Sequence, residues 1–562
     1  MSNRLQHIQG QPLDLEQQTY LEGFFAGIAQ QGISFGNVEP TPAKPNYDDQ
    51  TAEERMKREE HPLDSYYRLT DNALHNTVPD KEDTFRFKWN GLFFLTPIKD
   101  AFMARLRIPG GVLKSFQLRE LARAARDLTS GYIQITTRAN LQMRLIQPKD
   151  APAFLERIQG CGLHTRGAGA DNIRNLTCNP TAGIDPQELI DTLPFARDIG
   201  QQILNNREFY NLPRKFNIAF DGGGIIGSVE DTNDLGARAV KVGDQIMFRI
   251  AAGGATGHKA FAKDMGILVE PAKIVGVLLA MVRVFIARGN RTDRKKARLK
   301  HLLETMPMEE FVTESEKLLS EPLTRSLEGL ETPRTEFAHS HIGIHAQKQS
   351  GLHYLGAAVP VGQISAKQLD RLADLADNYG TGEVRLTVWQ NFILPNIPSA
   401  YVETVSKNLT SMGFSTKPSP VSNGIIACTG NRYCKYAQAD TKGHAITLMK
   451  HLEKKVPLEE PVNIHFTGCP HSCAQHYMGD IGLLGTKVQG EEGYHVFVGG
   501  GFGEKQAVGR QVFSGVHHSS VNETIEKMLR GFLKHREGKE SLHAFTKRYD
   551  LNKLQLIFTG DE

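Results

Sequence analysis

Residues 105–145 read RLRIPGGVLKSFQLRELARAARDLTSGYIQITTRANLQMRL, and residues 356–395 read GAAVPVGQISAKQLDRLADLADNYGTGEVRLTVWQNFILP. The two stretches align without a gap at an offset of 251, Pro109 falling on Pro360. Gly111 falls on Gly362, Gln117 on Gln368, Leu118 on Leu369 and Leu121 on Leu372. Gly131 then falls on Gly382, Thr136 on Thr387 and Asn140 on Asn391. Self-similarity at a fixed offset is the mark of a duplicated architecture. Each copy reads as strand, turn, amphipathic helix, turn, strand; the alternation in Tyr132–Arg138 and Glu383–Trp389 marks the second strand.

A fainter echo lies downstream. KFNIAFDGG (Lys215–Gly223) resembles PVNIHFTGC (Pro461–Cys469), and FRIAAGGATG (Phe248–Gly257) resembles HVFVGGGFG (His495–Gly503). Both pairs read as buried strands followed by glycine turns. The chain therefore divides into two similar halves, about 1–330 and 331–562. Ahead of the repeats, apolar spacing predicts a helix over 12–32. Residues 37–63, rich in proline and carrying TAEERMKREE, read as an extended arm with one short helix, a solvated tether as readily as a functional part. The run IVGVLLAMVRVFIA (Ile274–Ala287) is too short to span a bilayer and reads as a buried helix.

The halves differ in chemistry. Cys428, Cys434, Cys469 and Cys473 all lie in the second, as ACTGNRYC and FTGCPHSC. Four thiolates suit an iron–sulfur cluster or zinc. The five-residue spacer in the first pair is long for a zinc knuckle, and Gly430 and Gly468 allow backbone N–H groups to approach sulfur. On spacing alone, cluster, zinc and merely structural cysteines all stay open. Cys161 and Cys178 have no partner at motif spacing and read as buried inert thiols.

The first half carries cations where packing does not ask for them: Arg105, Arg138, Arg144, Arg174, Arg214 and Lys215. Cations at strand ends inside apolar segments need an anion to offset desolvation. A polyanionic cofactor or an anionic substrate would supply it. The run RGNRTDRKKARLK (Arg288–Lys300) reads equally as a solvated face. Overall, 66 basic residues against 63 acidic give a net charge of +3 over 562 residues, which excludes a uniformly polybasic nucleic-acid binder. Six cysteines exclude a disulfide scaffold, and the N-terminus has no apolar core of signal-peptide length, so a cytoplasmic location is expected. DGGGIIG and GGGFG lack the strand–helix–acid context of a dinucleotide site, so electrons for any redox chemistry come from a separate carrier.

In combination the cysteine motifs, the strand TTRAN, RNLTCNP, NLPRKFN, RGNRTDRKKAR and the doubled half-domain resemble the sirohaem-dependent sulfite and nitrite reductases, and among them the ferredoxin-dependent nitrite reductases. The likeness runs from about residue 90 to the end. It implies an α+β, pseudo-twofold fold of two ferredoxin-like half-domains and two larger α/β cofactor domains. The corresponding boundaries are 1–90 for an N-terminal helix and arm, 91–165 and 336–410 for the half-domains, 166–335 for a sirohaem and anion-binding domain, and 411–562 for a [4Fe–4S] and sirohaem domain. The resemblance implies a [4Fe–4S] cluster on Cys428, Cys434, Cys469 and Cys473, with Cys473 also the axial thiolate of the sirohaem iron. Arg138, Arg144 and Arg214 would contact the eight sirohaem carboxylates. Arg105, Arg174, Lys215 and Asn217 would line the face where the substrate anion binds.

Nitrite rather than sulfite is implied by PRKFN, where sulfite enzymes carry a second lysine at the Asn217 position, and by Arg144, where they tend to carry histidine. The family strand usually reads TTRQN, so Ala139 puts one contact in doubt. The implied activity is assimilatory reduction of nitrite to ammonium by six electrons from ferredoxin, or flavodoxin, in a monomer with no nucleic-acid or membrane partner. Arg432, Lys435, Lys442 and Arg55–Arg58 are candidate donor-facing cations. The competing readings are a ferredoxin-dependent sulfite reductase, a zinc-stabilised RNA-binding protein and a non-catalytic sirohaem binder.

Overall fold

The computed structural model describes residues 14–19, 51–95, 97–325 and 341–561, together with the short strands His7–Ile8, Gln11–Pro12 and Leu330–Glu331. Residues 1–50 form a unit of their own, in which His7–Ile8 pairs antiparallel with Gln11–Pro12. Of the helix expected over 12–32, residues 15–19 are helical and residues 20–32 lie outside the described residues.

In the unit from residue 51 onward, the repeat takes the expected form. Helices Ser115–Leu128 and Ala366–Tyr379 bury matching apolar stripes, Leu118, Leu121 and Ala125 in one and Leu369, Leu372 and Ala376 in the other. The spacing puts these residues on one helical face. Both helices begin with the same cap. The Gln117 side chain accepts from Lys114 N (2.9 Å) and donates to Cys161 O (3.0 Å); Gln368 accepts from Ser365 N and donates to Met412 O (both 2.8 Å). Both copies also turn sharply after the proline, with Gly110 (φ 68°) and Val361 (φ 47°) left-handed at equivalent places.

The copies are not separate sheets. One five-stranded sheet runs Gln363–Ser365, Tyr132–Ile135, Leu141–Ile146, Phe102–Arg105, Leu92–Phe94. The other runs Gly343–Ala346, Leu352–Ala357, Phe392–Pro398, Glu383–Leu386, Val112–Lys114. Each copy thus lends its short pre-helix strand to the other's sheet, and the two form one continuous core.

The downstream echo is a second duplication. Ile173–Thr177, Phe216–Asp221 and Leu235–Val242 lie parallel and continue antiparallel into Gln245–Ala252 and Lys263–Val269. Ile425–Ala427, Ile464–Thr467 and Ile481–Val488 do the same into Glu491–Val498 and Arg510–His517. Their central strands are near-continuous apolar runs because both faces are covered. Ile274–Arg288 packs on the first sheet, and Thr441–Lys455 and Val521–His535 on the second. Ile274–Arg288 is the buried helix expected, and no helix among the described residues is long and apolar enough to cross a membrane.

Two readings are corrected. The helix Ala52–Glu59 is not a solvated tether: Lys57 is buried beside Asp171 (3.7 Å), and Arg291 reaches Glu54 at 2.6 Å. The run 288–300 is not a solvated helix face either. Arg294 forks onto Asp171 (2.8 and 2.9 Å) and Arg298 onto Asp234 (2.8–3.0 Å), so its arginines knit distant segments together.

Candidate functional site

The four cysteines meet because they leave neighbouring parallel strands at their C-terminal ends. Cys428 follows Ile425–Ala427, its N–H donating to Phe466 O (3.0 Å); Cys469 follows Ile464–Thr467 through Gly468. Crevices beyond the carboxyl ends of parallel strands are where such folds place ligands. A Cβ on Gly468 would stand 2.5 Å from the Ala437 methyl, so glycine lets this loop close in, and its N–H then donates to Cys428 Sγ (3.2 Å). The Thr441 hydroxyl lies 3.6 Å from the same sulfur. The other half reaches over: Thr137 Oγ1 donates to Cys473 O at 2.9 Å.

All four thiols are free and line one cavity. Burial pushes the Cys469 thiol up to about 12, and the three other sulfurs add to this. Such a set ionises together only around a shared positive centre. Among the described residues, no three of the four sulfurs lie within 4.8 Å of one another. A single tetrahedral zinc, with Zn–S of about 2.3 Å, would draw them to about 3.8 Å. The thiols as placed are thus not drawn together as they would be around one such ion. Cys161 and Cys178 are buried elsewhere, and burial pushes Cys178 up to about 12, as inert thiols require.

The same cavity is walled by Arg105, Arg138, Arg144, Arg174, Lys215 and Asn217. Burial lowers every one of the cations, holding Arg138 and Arg144 down to about 10 and Arg174 and Lys215 well below their ordinary values. Neighbouring cations add to this at Arg174 (Arg105, Arg214) and at Lys215 (Arg298, Arg174). Among the described residues the Arg174 side chain donates only to Ala170 O (2.9 and 2.6 Å), and Arg105 reaches Ala168 O at 3.5 Å while lying over the Phe93 ring. Among the described residues, none of these five cations has a carboxylate within salt-bridge range, in contrast to Arg294 and Arg298. Charges drawn this far out of water and left without a counter-ion call for an anion. A macrocycle bearing many carboxylates, with a small anion on its far side, fits that demand.

Arg214 stands apart from the other predicted residues. It is not in the cavity wall; its Nη1 is 3.6 Å from Asp171 Oδ1. Asn217 is in the wall but turned to Asp234, its backbone N–H donating at 2.8 Å and its amide at 3.4 Å. Lys442, expected on a donor-facing surface, is part-buried in the cavity wall, where desolvation lowers it to about 7 and its Nζ donates to Val361 O.

Sequence reading missed Tyr433, over whose ring Arg144 lies (5.2 Å), and Gln390. Gln390 occupies the repeat position of Ala139, and both are left-handed (φ 60° and 50°). Its amide bonds Ala427 N and O (both 3.0 Å) and Ile135 O (3.2 Å), pinning the residue before Cys428. The repeat alignment carried the signal: the glutamine absent from TTRAN is present in TVWQN.

The model of the nitrite and sulphite reductase 4Fe-4S domain matches residues 169–323 and 422–557, and that of the nitrite/sulfite reductase ferredoxin-like half domain matches 97–161 and 345–412. The ferredoxin–nitrite reductase of Synechococcus elongatus is 38% identical over 457 residues, covering 79% of this chain and 88% of the relative. The chloroplastic ferredoxin–nitrite reductase of Spinacia oleracea is 34% identical over 78% of this chain and 76% of its own length. Among solved structures, the Mycobacterium tuberculosis NirA protein superposes with a TM-score of 0.84 at 27% identity, over 90% of this chain and 97% of that one.

Proposed function

Because the chain belongs to the nitrite and sulphite reductase family, we infer that its cation-walled cavity is where nitrite is reduced to ammonium, with electrons from ferredoxin. The observation that carries this is the meeting, in one cavity, of four thiols and of buried or part-buried cations that have no carboxylate partner among the described residues. Cys428, Cys434, Cys469 and Cys473 would hold a [4Fe–4S] cluster, Cys473 shared with sirohaem, and Arg138 and Arg144, with Arg214 nearby, would meet the macrocycle's carboxylates. When bound, these groups supply electrons one at a time.

The protein's own residues do the rest. Arg105, Arg174 and Lys215 draw the monoanion out of water and offset its charge, each relieved of its own desolvation in doing so. Reduction consumes protons as well as electrons, eight with the six. Burial makes the Lys215 ammonium a ready donor at Nζ, and the arginines hold charge without releasing protons. Nitrite is favoured over sulfite because Asn217 stands where a further lysine would attract a more charged anion.

Lys215→Ala and Arg174→Ala are each expected to lower nitrite turnover by about 10²-fold or more, the scale seen on removing one preorganised donor. The visible spectrum of both cofactors is expected to persist. Full activity in either variant removes the anion-site assignment. A colourless wild-type protein, prepared with ample iron and macrocycle supply, removes the whole reading.

A further inference from the structure

The duplication of the two larger sheets holds at an offset of 246 and reaches single bonds. Asn217 N donates to Asp234 Oδ2 at 2.8 Å, and Asn463 N to Asp480 Oδ2 at 2.8 Å. The side-chain amides repeat it at 3.4 and 3.2 Å. Gly253 N donates to Asp234 O (2.9 Å), and Gly499 N to Asp480 O (3.1 Å). The surroundings repeat too. Cys473, Gln475, Lys215, Asn217 and Thr256 line the catalytic cavity; at the same offset Gly227, Val229, Pro461, Asn463 and Phe502 line a second cavity.

The chemistry does not repeat. Lys215 is replaced by Pro461, and Cys473 by Gly227. Asp234 takes Arg298 through three contacts of 2.8–3.0 Å, whereas among the described residues no arginine lies within salt-bridge range of Asp480, on which Lys505 acts instead. The asparagine–aspartate clasp is therefore a property of the scaffold, present where no catalysis is proposed. What the catalytic half adds is Arg298.

The geometry points to Asp234 as a positioning residue, whose one buried carboxylate fixes both Arg298 and the backbone of Asn217, and so sets where the Lys215 ammonium stands against the substrate anion. Lys215 immediately precedes the strand Phe216–Asp221, two residues from the clasped N–H, so its place follows the clasp. Arg298, 8% exposed in its side chain, acts electrostatically on Lys215, and its charge is paired with Asp234. Freed of that carboxylate, the guanidinium would repel the ammonium or compete for the anion. On this view Asn217 acts chiefly through Asp234. The inference rests on the nitrite-reducing reading of the cavity.

The test uses the holoenzyme and the internal duplicate as its control. Asp234→Asn and Arg298→Gln are each expected to raise KM for nitrite about tenfold, the weight of a hydrogen bond to a charged group, with kcat changed less. Both should also weaken binding of cyanide, read from the sirohaem spectrum, by a similar factor. Asp480→Asn, which breaks the same clasp in the other half, is expected to leave both constants within about twofold. Should Asp234→Asn fail to fold, Arg298→Gln carries the comparison. Two results overturn the proposal: unchanged nitrite KM and cyanide affinity in the Asp234→Asn or Arg298→Gln holoenzyme, or equal shifts in Asp480→Asn. A wild-type protein that reduces nitrite while giving either result sinks the positioning role alone. A wild type that binds neither anion sinks the function from which it starts.

Discussion

Lys215 and Asn217 are two residues apart yet differ in what can be read of them. Lys215 sits at the head of an apolar strand, and a cation there is anomalous in the sequence itself; its lack of a carboxylate partner in the folded chain agrees. Asn217 looks like a ligand by position, but its main bond goes to Asp234, 17 residues on, which no local pattern announces. The two views of the position make a joint prediction. Asn217→Lys is expected to raise the ratio of sulfite to nitrite turnover, because it adds a cation to a wall that already holds Arg105, Arg174 and Lys215. Side-by-side assays of the two anions decide it, and an unaltered ratio would take specificity away from this residue. Lys442 shows the opposite failure of reading. At the start of a helix, in ADTKGH, a lysine looks solvated; only its bond to Val361 O and its place beside Arg144 reveal a charge drawn into the cavity wall.

Among the elements, the loops after the parallel strands do the work, and their motifs were legible because glycine, proline and cysteine at fixed spacing have few other uses. Gln390 was legible only through the repeat. The Cys428–Cys434 loop also carries the surface by which a donor would come close. Arg432 is 69% exposed in its side chain and pairs with Asp440 (2.8 Å); Lys435 lies over the ring of Tyr436, which is 49% exposed. Cations around a part-apolar patch suit an acidic electron carrier. The double substitution Arg432→Glu with Lys435→Glu is therefore expected to raise KM for ferredoxin about tenfold at low salt and to flatten its dependence on ionic strength. Turnover with a small chemical reductant should be unaltered, since the cavity is untouched. Equal loss with both donors would mean that the loop had been damaged rather than the docking surface.

At the scale of the whole molecule, the exchange of short strands between the repeats was not legible. Each copy contains a pattern that could close on itself, and nothing in residues 112–114 or 363–365 says which sheet they join. The basic run 288–300 was opaque for a related reason: its partners Glu54, Asp171 and Asp234 are far away in the chain. The exchange has a mechanical consequence. Removing either half strips a strand from the other's sheet, baring Tyr132–Ile135 or Glu383–Leu386 as an unpaired edge and opening the shared core. Unpaired apolar edges aggregate. Cutting the chain between residues 331 and 341 and expressing either part alone should yield insoluble or molten material. Co-expression should return a complex that co-purifies and carries the visible spectrum, because the cavity draws its arginines and Lys215 from one half and its thiols, with Lys442, from the other. A lone half that is soluble, monomeric and unfolds cooperatively would show that the exchanged strands contribute little, and that each copy can supply its own edge.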